Sequence, residues 1–571
     1  MENRDVAAVL EEMATLLELR GENSFRCRAY ANAARQIEML QEPVAGLAER
    51  GELATIRGVG KGLAGDISEL LEAGQMAAYR ELKASVPEGL LEILEVPGLG
   101  AKRVRAIYEK LGISDVDALT KACEAGEVAR LSGFGKKTSE KILQGIAFLQ
   151  QHRGRFLCST AQDEAEGIRR FLEGRPEVMR LAVAGSIRRR CETTKDVDVV
   201  ASSGDANALA DAFVGYDGVS QVTARGETKV SVTLQSGMNA DLRIVDDEAF
   251  PYAFHHFTGS REHNTQMRRR AKEMGLKMNE YGLYRGEERI PCRDEAEIFR
   301  ALGLACIPPE LREGVGEIEL AEQDAIPDLV TMADLKGTLH AHTTYSDGRA
   351  SVAEMALAAK GLGYAYLGIC EHSRAAAYAN GLTEDRVRAQ WEEIDRANAA
   401  LAGIRALKGI EVDIMRDGRL DFEDGFLAEF DLVVASVHSV FGMTETEATE
   451  RIVRAVQNPH VDILGHPTGR LLLSREGYPL DMRAVVDAAA EAGTAIELNA
   501  HPRRLDLDWR HMGYAKERGV KVAINTDAHG TDGLEHMHYG VGIARKGGLT
   551  AGDVLNAMSL SDLLRWLEGT T

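Results

Sequence analysis

The chain has 571 residues, too many for a single hydrophobic core, so about three to five domains are expected. Its net charge of −21 argues against a protein that coats DNA through uniform positive charge, so any nucleic-acid contact must come from local basic patches. The seven cysteines show no paired spacing, which is typical of a reduced cytoplasmic protein. The sequence shows neither a signal-peptide pattern nor an apolar run long enough to span a bilayer.

The N-terminal quarter contains an internal repeat that follows a predicted helical segment, residues 5–38. Three phrases, at residues 56–61, 96–102 and 131–137, each combine Gly-apolar-Gly, a basic residue and a helix-like run. Each phrase predicts a helix-hairpin-helix motif, whose glycines allow close backbone approach and whose second helix directs its N-terminus at a DNA phosphate. One such phrase could merely join two packed helices, but three favour sequence-independent DNA binding. The predicted DNA-contacting residues are Gly58, Gly60, Lys61, Gly98, Gly100, Lys102, Gly133, Gly135, Lys136 and Lys137.

A nucleotide-binding turn is predicted after the basic connection at residues 152–155. An apolar run predicts a buried strand, and Gly185 and Ser186 follow it with backbone N–H groups and a hydroxyl that suit a phosphate. The three arginines at residues 188–190 are expected to bring positive charge to the same place. The sequence therefore predicts an anion-binding turn at this point of the chain.

Carboxylates follow that turn on two strand-like runs. Asp196 and Asp198 share one face of the first, because side chains alternate along a strand, and Asp241 lies on the second. A divalent cation would relieve the repulsion within the pair, and oxygen ligands favour Mg²⁺ or Mn²⁺. A lone Asp-x-Asp would favour an edge strand with solvated acids. The preceding turn and arginines favour a nucleotidyl-transfer site instead.

These motifs resemble family X DNA polymerases such as DNA polymerase beta, and residues 256–260, 262–264, 267–268 and 278–281 continue the family's order. The resemblance implies a nucleotidyltransferase palm whose catalytic acids are Asp196, Asp198 and Asp241. It implies two metal ions, one that activates the primer 3′-hydroxyl and one that holds the triphosphate. The implied contacts to the nucleotide or the template strand are Gly185, Ser186, Arg189, His256, Phe257, Gly259, Asn264 and Arg268.

Two of these implications concern sugars. The turn at His256 and Phe257 would exclude a ribose 2′-hydroxyl, while core packing is the alternative role for Phe257. In DNA polymerase beta, a lysine on the helix after the first hairpin also removes a 5′-deoxyribose phosphate. Asp66 occupies that position here, and a carboxylate cannot form the Schiff base that this chemistry needs. Lys61 lies at the helix start, where it is better used to bind phosphate, so we expect no lyase activity by this route.

The C-terminal half is rich in candidate metal ligands, since 11 of the 15 histidines lie at or after His340. His340 and His342 share one face of a predicted strand, which is ligand geometry. Further candidates lie at or just beyond the ends of other strand-like runs: His372, Glu411, His438, His466, Asp527 and His529. Alternating strands and helices with polar residues at strand C-termini indicate an α/β barrel with its site at that face. A single buried histidine is usually structural, but so many at equivalent strand ends favour a metal site.

This half resembles the polymerase and histidinol phosphatase (PHP) domain, a distorted seven-stranded barrel. The resemblance implies three metal ions. The implied ligands are His340, His342, Glu411 and Asp527 for the first ion, Glu411, His438 and His466 for the second, and Asp347, His372 and His529 for the third. Mixed histidine and carboxylate ligands favour Mn²⁺ or Zn²⁺ over Mg²⁺.

The predicted fold class is multidomain, combining α+β and α/β regions. The predicted boundaries are a helical 8-kDa-like domain at 1–90, a fingers-like domain with two helix-hairpin-helix motifs at 91–153, the palm at 154–250, the thumb at 251–320, a linker at 321–334 and the PHP domain at 335–571.

The resemblance to bacterial family X polymerases with a PHP domain covers nearly the whole chain. It implies a DNA-directed DNA polymerase that fills short gaps in repair, with a metal-dependent 3′-5′ exonuclease and, as open additions, abasic-site endonuclease and 3′-phosphatase activity. The expected partners are gapped or primed DNA and deoxynucleoside triphosphates (dNTPs), for a monomer in the cytoplasm, near the nucleoid and away from membranes. Two alternatives stay open: a nuclease on a DNA-binding platform with a weak polymerase, and a PHP domain that acts as a small-phosphate phosphatase or an inert scaffold.

Overall fold

The computed structural model describes residues 1, 3–38, 40 and 42–570, and it divides the chain into two compact units, Met1–Arg153 and Gly154–Thr571. The first unit is helical. Its helices are α1 (Asn3–Arg20), α2 (Ser24–Glu38), α3 (Val44–Glu49), α4 (Lys61–Ala73), α5 (Ala77–Ala84), α6 (Glu88–Leu94), α7 (Ala101–Leu111), α8 (Val116–Glu124) and α9 (Lys136–His152). Helix α1 buries Val6, Leu10, Met13 and Leu17 at helical spacing, as an amphipathic sequence should.

The three repeats adopt one local geometry. The first glycine of each has a left-handed backbone, with φ of +87° at Gly58, +83° at Gly98 and +84° at Gly133. A side chain is strained in that conformation, which explains the glycine at each of these positions. Helices α4, α7 and α9 each begin directly after the second glycine of their repeat. The prediction of three helix-hairpin-helix motifs is confirmed.

The second unit begins with a five-stranded mixed sheet. Its elements are β1 (Phe156–Leu157), α10 (Cys158–Leu172), β2 (Val178–Val183), α11 (Gly185–Arg188), β3 (Thr193–Thr194), β4 (Asp196–Ser203), α12 (Ala206–Val214), β5 (Val219–Arg225), β6 (Lys229–Leu234) and β7 (Asn239–Val245). The strand order is β2-β4-β7-β6-β5, and β1 pairs with β3 in a separate small ladder. Strands β4 and β7 are parallel, so Asp198 lies directly opposite Asp241. The sheet thus brings together carboxylates that are far apart in sequence.

A smaller α+β region follows, with a three-stranded antiparallel sheet in the order β10-β9-β8. Its elements are α13 (Phe250–Thr258), α14 (Arg261–Glu273), β8 (Lys277–Asn279), β9 (Gly282–Arg285), β10 (Glu288–Ile290), α15 (Glu295–Ala301) and α16 (Glu317–Glu322). Ser260 caps α14 by accepting a hydrogen bond from the His263 backbone N–H. This cap fixes the turn between α13 and α14, beside the palm.

The C-terminal region is a seven-stranded parallel sheet in the order β11 to β17. Its elements are β11 (Gly337–Ala341), α17 (Val352–Gly361), β12 (Tyr366–His372), α18 (Glu384–Ala400), β13 (Arg405–Asp413), α19 (Asp424–Leu427), β14 (Leu432–Ser436), α20 (Glu445–Val456), β15 (Ile463–Leu464), α21 (Met482–Ala492), β16 (Ala495–Asn499), α22 (Trp509–Glu517), β17 (Val522–Asn525), α23 (Met537–Lys546) and α24 (Leu560–Thr570). A parallel bridge between Ala341 and Ala528 joins the two edges. The predicted distorted barrel is confirmed.

The segment predicted as a linker, residues 321–334, lies against the barrel. The Val330 backbone N–H donates to the Leu549 carbonyl, Leu329 bridges to Thr550, and Val330 is fully buried in the barrel core. Palm, thumb and barrel accordingly form one compact unit. None of the helices in the described part of the chain is long and apolar enough to cross a membrane.

Candidate active sites

The repeats of the first unit present exposed lysines at helix N-termini. The Lys102 and Lys136 side chains are 84% and 91% exposed, and they pair with surface carboxylates at 3.6 Å (Glu18) and 4.0 Å (Glu140) respectively. Such surface pairs are weak, so phosphate can compete for these lysines. The predicted phosphate contacts are therefore available for binding in this structure.

Asp66 lies in α4, on the helix that follows the first hairpin. Its carboxylate accepts a hydrogen bond from the hydroxyl of Tyr30 in α2. Burial and this carboxylate together raise the pKa of Tyr30 to about 12. Asp66 thus has a structural partner in Tyr30.

The palm acids lie at adjacent positions of the central strands β4 and β7. Burial and the nearby charges of Asp196 and Asp241 raise the pKa of Asp198 to about 7. Asp241 accepts a hydrogen bond from Ser231 at 2.6 Å and forms an ion pair with Lys229 at 2.6 Å. A Cβ atom on Gly185 would come within 2.2 Å of Asp198 Oδ2, so only glycine allows the phosphate-binding turn to lie this close. The clustered, partly desolvated carboxylates fit a divalent cation.

One cleft of about 410 Å³ brings together the palm turn and the α13–α14 turn. Its lining includes two of the three predicted catalytic acids and all eight predicted nucleotide and template contacts. The lining residues are Gly185, Ser186, Arg189, Asp196, Asp198, His256, Phe257, Gly259, Ser260, Arg261, Asn264 and Arg268. The Asn264 side chain donates to the His256 carbonyl at 2.7 Å, which ties the two helices of this turn together. Phe257 also packs against Ala184 and Phe250, so it both lines the cleft and joins the core.

The expectation that all three arginines of the turn bring charge to one place is wrong. Only Arg189 lines the cleft. Arg188 forms an ion pair with Glu295 and lies over the Phe254 ring, with 3.6 Å between the guanidinium carbon and the ring centroid. Arg190 points to the barrel, where it packs against Gly542. The backbone explains this divergence: α11 ends at Arg188, Arg189 is its C-cap residue, and Arg190 has a left-handed backbone with φ of +56°.

The barrel ligands converge at the C-terminal ends of the strands, around Glu411. His438 Nε2 and His466 Nε2 each lie 3.1 Å from Glu411 Oε1, and His372 Nδ1 lies 2.8 Å from Glu411 Oε2. His340 Nε2 lies 3.5 Å from Glu411 Oε1. Burial works against ionisation of Glu411, but the surrounding imidazoles hold the pKa of its carboxyl well below the ordinary value. Glu411 is therefore the charged centre of the cluster.

Asp527 and Asp347 draw the remaining histidines together. His342 Nε2 lies 3.1 Å from Asp527 Oδ1. His372 Nε2 and His529 Nε2 lie 3.5 Å and 3.3 Å from Asp347 Oδ1. All nine predicted ligands thus meet in one cluster, and His372 faces both Glu411 and Asp347.

The donor atoms fit metal ions. Three groups within the described residues have ligand atoms close enough to share an ion: His342, Asp347, His372 and His529; His340, His342 and Asp527; and His372, Glu411 and His438. His372 Nδ1 and Glu411 Oε2 are buried and lie 2.8 Å apart, yet they form no well-oriented hydrogen bond with each other. Two ligands that face a common ion have this arrangement.

Three polar residues support the cluster in roles that sequence reasoning missed. Glu497 Oε1 accepts from His340 Nδ1 at 2.8 Å, while Glu497 Oε2 accepts from the His466 backbone N–H at 2.7 Å. Asp413 lies 3.3 Å from His438 Nδ1. Asn499 is fully buried, and its side chain donates to Asp527. Such partners orient metal ligands. A signal for them was present in the sequence, because Asp413 lies two residues after Glu411 on β13, and Glu497 and Asn499 are likewise two residues apart on β16. Residues at this spacing share one face of a strand.

The loop that carries Asp347 is held by another buried carboxylate, Glu371. Its oxygens accept hydrogen bonds from the backbone N–H groups and hydroxyls of Thr343 and Ser346, and from the Gln390 side chain. The adjacent His372 is a predicted ligand, so neighbouring residues of β12 serve the same site. This anchoring fixes Asp347 relative to the histidines.

An exposed aromatic ring stands beside the cluster. Tyr378 is 75% exposed, and its ring centroid lies 6.4 Å from that of His372. Tyr378 lies in the loop between β12 and α18. Asn380 anchors this loop, because its side chain donates to the Tyr345 and Ser346 carbonyls. Arg504 lies on the same face, with Nε 3.7 Å from Asp527 Oδ2. An exposed ring on an anchored loop is a suitable surface for a flat ligand.

Comparisons with known proteins agree with this arrangement. The family models that match are "Helix-hairpin-helix domain" over residues 1–76, "SAM-like Helix-hairpin-helix tandem" over 90–147, "DNA polymerase beta thumb" over 253–313 and "PHP domain" over 338–501. The chain is 40% identical over 572 residues to "DNA polymerase/3'-5' exonuclease PolX" of Bacillus subtilis (strain 168), with 100% of both chains covered.

Two further similarities each cover part of the chain. A "Probable phosphatase" of Thermoanaerobacter sp. (strain X514) is 34% identical over 166 residues, which are 27% of this chain and 65% of that protein. The crystal structure of Leishmania infantum polymerase beta in a ternary gap complex matches with a TM-score of 0.26 and 20% identity, over 41% of this chain and 95% of that one.

Proposed function

The chain belongs to the bacterial PolX family, the family X DNA polymerases that carry a PHP domain, and from this membership we propose that it fills short DNA gaps and degrades DNA from 3′ ends. The observation that carries the proposal is the presence of two separate groups of candidate metal ligands in one chain. In the palm, Asp196 and Asp198 line a cleft of about 410 Å³. In the barrel, histidines and acids form three groups whose ligand atoms are close enough to share an ion.

In the palm, Asp196, Asp198 and Asp241 would hold Mg²⁺ or Mn²⁺, which supplies positive charge to the triphosphate and activates the primer hydroxyl. The Arg189 guanidinium and the Ser186 hydroxyl bind the triphosphate from the other side of the cleft. Asn264 and Arg268 position the incoming base and the template strand. The catalytic contribution of the protein is then mostly orientation and electrostatic stabilisation.

In the barrel, the nine clustered residues would hold up to three Mn²⁺ or Zn²⁺ ions, which supply a Lewis acid and a nucleophile for phosphodiester hydrolysis. Glu497 and Asp413 orient the histidines, and Glu371 holds the loop of Asp347. Tyr378 offers its exposed ring to a terminal base, and Arg504 offers its positive charge to a phosphate. These two residues favour a polynucleotide over a small metabolite.

The proposal includes a biological setting. The three DNA-binding hairpins hold gapped or primed DNA, and the protein uses dNTPs to repair it. The protein acts as a monomer in the cytoplasm, near the nucleoid. Abasic-site endonuclease and 3′-phosphatase activities are further chemistries that the barrel cluster could perform. The similarity to probable phosphatases keeps a phosphatase as the second candidate for the barrel.

Primer extension and primer degradation measured on one gapped duplex, with Mg²⁺ and then with Mn²⁺, test the proposal. We expect extension with dNTPs and shortening from the 3′ end without them. p-Nitrophenyl phosphate serves as the comparison substrate for a phosphatase. Hydrolysis of that compound without shortening of DNA would contradict the exonuclease.

The cleft should also discriminate between sugars. His256 and Phe257 line it in a fixed arrangement, with 5.0 Å between their ring centroids and with Arg243 over the Phe257 ring. A close steric exclusion of this kind is worth roughly 1–3 kcal/mol, or about 10- to 200-fold in kcat/KM. We expect dNTPs to be preferred over ribonucleotides by such a factor in single-nucleotide incorporation. Equal kcat/KM values for the two sugars would contradict the role of this turn.

The first unit should bind the 5′ end of a gap without excising a deoxyribose phosphate. Asp66 cannot form an imine, and its charge would repel the substrate phosphate. Borohydride trapping on a 5′-deoxyribose-phosphate duplex should therefore yield no efficient covalent adduct. Lys61→Ala is the control variant, because an adduct that this substitution removes would show that Lys61 performs the chemistry.

A further inference from the structure

Four consecutive residues of the palm, Arg189 to Glu192, are contacted by the barrel. They follow directly on the helix α11, whose first residues line the nucleotide cleft. The contacts come from α22, from α23 and from the loop after β15. The palm turn that is proposed to bind the triphosphate is thus held partly by the barrel, which has a candidate active site of its own.

The central contact is made by Lys546, the last residue of α23. The residue is only 4% exposed, and its ammonium group donates to the Arg189 carbonyl at 3.2 Å and forms a close ion pair with Glu313. Glu313 in turn lies 3.1 Å from Arg189 Nε. The Arg189 guanidinium also donates to the Thr258 carbonyl. One glutamate is therefore shared between the arginine of the cleft and a lysine of the barrel.

Further contacts hold the same turn. Arg190 packs against Gly542 of α23, where an added Cβ would come within 3.1 Å of the arginine side chain. Glu192 lies 3.8 Å from Arg470 and 3.6 Å from Arg510, which both belong to the barrel. Arg470 also forms an ion pair with Asp508 at 2.6 Å. These contacts fix the backbone of the turn on both sides of Cys191.

The sharing of Glu313 has an electrostatic consequence. The Arg189 and Glu313 side chains are only 14% and 18% exposed, so water screens their interaction weakly. Although burial opposes ionisation, Lys546 and Arg189 hold the pKa of Glu313 below its ordinary value, so the carboxylate is charged. Without Lys546, the whole charge of Glu313 would act on Arg189 and would repel a triphosphate next to it.

We propose that Lys546 of the PHP barrel is a positioning residue for nucleotide binding in the palm: it neutralises Glu313 and fixes the Arg189 backbone, so that the positive charge of the Arg189 guanidinium acts on the triphosphate. The proposal rests on the polymerase function proposed above. It makes the barrel a structural part of the nucleotide site, in addition to its own hydrolytic role.

Steady-state incorporation of a single dNTP by the full-length Lys546→Met variant tests this role. Loss of one charge-assisted contact changes affinity by about 10-fold, so we expect KM for the dNTP to rise by about that factor. The value of kcat should change far less, because Lys546 does not touch the reacting atoms. Degradation of a single-stranded oligonucleotide should match that of the wild-type protein, which also shows that the barrel is folded.

Arg545→Met is the matched control. Arg545 is adjacent in α23 and also forms an ion pair with a glutamate, Glu310, at 2.8 Å, but it does not contact the nucleotide-binding turn. We expect its KM for the dNTP to stay near the wild-type value. An equal rise in both variants would overturn the proposal in favour of general domain docking.

The double variant Lys546→Met with Glu313→Gln separates positioning from packing. Removal of the glutamate charge should bring KM back toward the wild-type value, which no loss of packing would do. An unchanged KM in Lys546→Met, or no recovery in the double variant, would overturn the proposal. If Lys546→Met does not fold, Glu313→Gln alone replaces it, and weaker dNTP binding by that variant would also overturn the proposal.

Failure of the proposed polymerase function can be distinguished from failure of the Lys546 proposal. A wild-type protein that extends no primer would contradict the polymerase, whereas the Lys546 proposal concerns nucleotide affinity. Calorimetric titration of the wild-type protein and Lys546→Met with a dNTP and Mn²⁺ measures that affinity without catalysis. Weaker binding by about 10-fold is the expected result, and equal dissociation constants would overturn the proposal.

Discussion

Asp198→Ala should lose primer extension by at least about 100- to 1000-fold, the loss that removal of one preorganised charge-stabilising group causes. Asp198 lies opposite Asp241 on adjacent parallel strands and lines the nucleotide cleft. Its buried position raises the pKa of its carboxyl, which shows how strongly the site favours a positive charge at this point. Asp196→Ala should behave in the same way. Extension of a gapped primer with Mg²⁺ and then Mn²⁺ is the measurement.

The exonuclease should survive that substitution. The palm acids belong to a core formed around β4 and β7, whereas the barrel ligands belong to another core. Shortening of a single-stranded primer by Asp198→Ala should therefore match the wild-type rate. Asp217→Ala, at an exposed palm position, serves as the matched control and should retain both activities. Simultaneous loss of degradation in the palm variants would contradict the assignment of two sites.

Glu411→Ala should lose primer degradation by a comparable factor, at least about 100-fold. Four histidines, His340, His372, His438 and His466, lie within 3.5 Å of its carboxylate, so its removal deprives the whole cluster of its shared charge. Water that fills the space left by the carboxylate carries no negative charge, so the imidazoles would lose their ionic partner. Shortening of a 5′-labelled single strand with Mn²⁺ is the measurement.

Primer extension reports whether that variant is folded. Glu411 has no contact with the palm turn, so dNTP incorporation should stay near the wild-type rate. Glu491→Ala, at an exposed position of α21, removes the same group from the same barrel and should leave both activities intact. Retention of full exonuclease activity by Glu411→Ala would show that the cluster does not hydrolyse DNA.

The predictions for Asp198→Ala and Glu411→Ala treat the two active sites as independent of each other. Each active site has its own acids, so loss of one chemistry should spare the other. Nucleotide affinity is the exception, because Lys546 connects the barrel to Arg189. The proposed role of Lys546 makes nucleotide binding depend on the neighbouring domain, whereas catalysis in the palm is expected to depend on the palm acids alone.

Short-range periodicity in the sequence was enough to predict several features of this protein. Asp196 and Asp198 had to share a face because β-strand side chains alternate. His340 and His342, and the other ligands at strand ends, had to converge because parallel strands of a barrel end on one face. The glycines of the three hairpins are required by their left-handed backbone, so their repeat was visible without coordinates.

Only the tertiary structure decided the contacts between residues hundreds of positions apart. The pairing of Asp198 with Asp241 depends on which strands become neighbours, and the support of His340 by Glu497 depends on the closing of the barrel. The divergence of Arg188 and Arg190, and the sharing of Glu313 between Arg189 and Lys546, depend on how palm, thumb and barrel pack. Local sequence patterns carry no information on such partners, because packing between elements is set by their whole surfaces rather than by residue spacing along the chain.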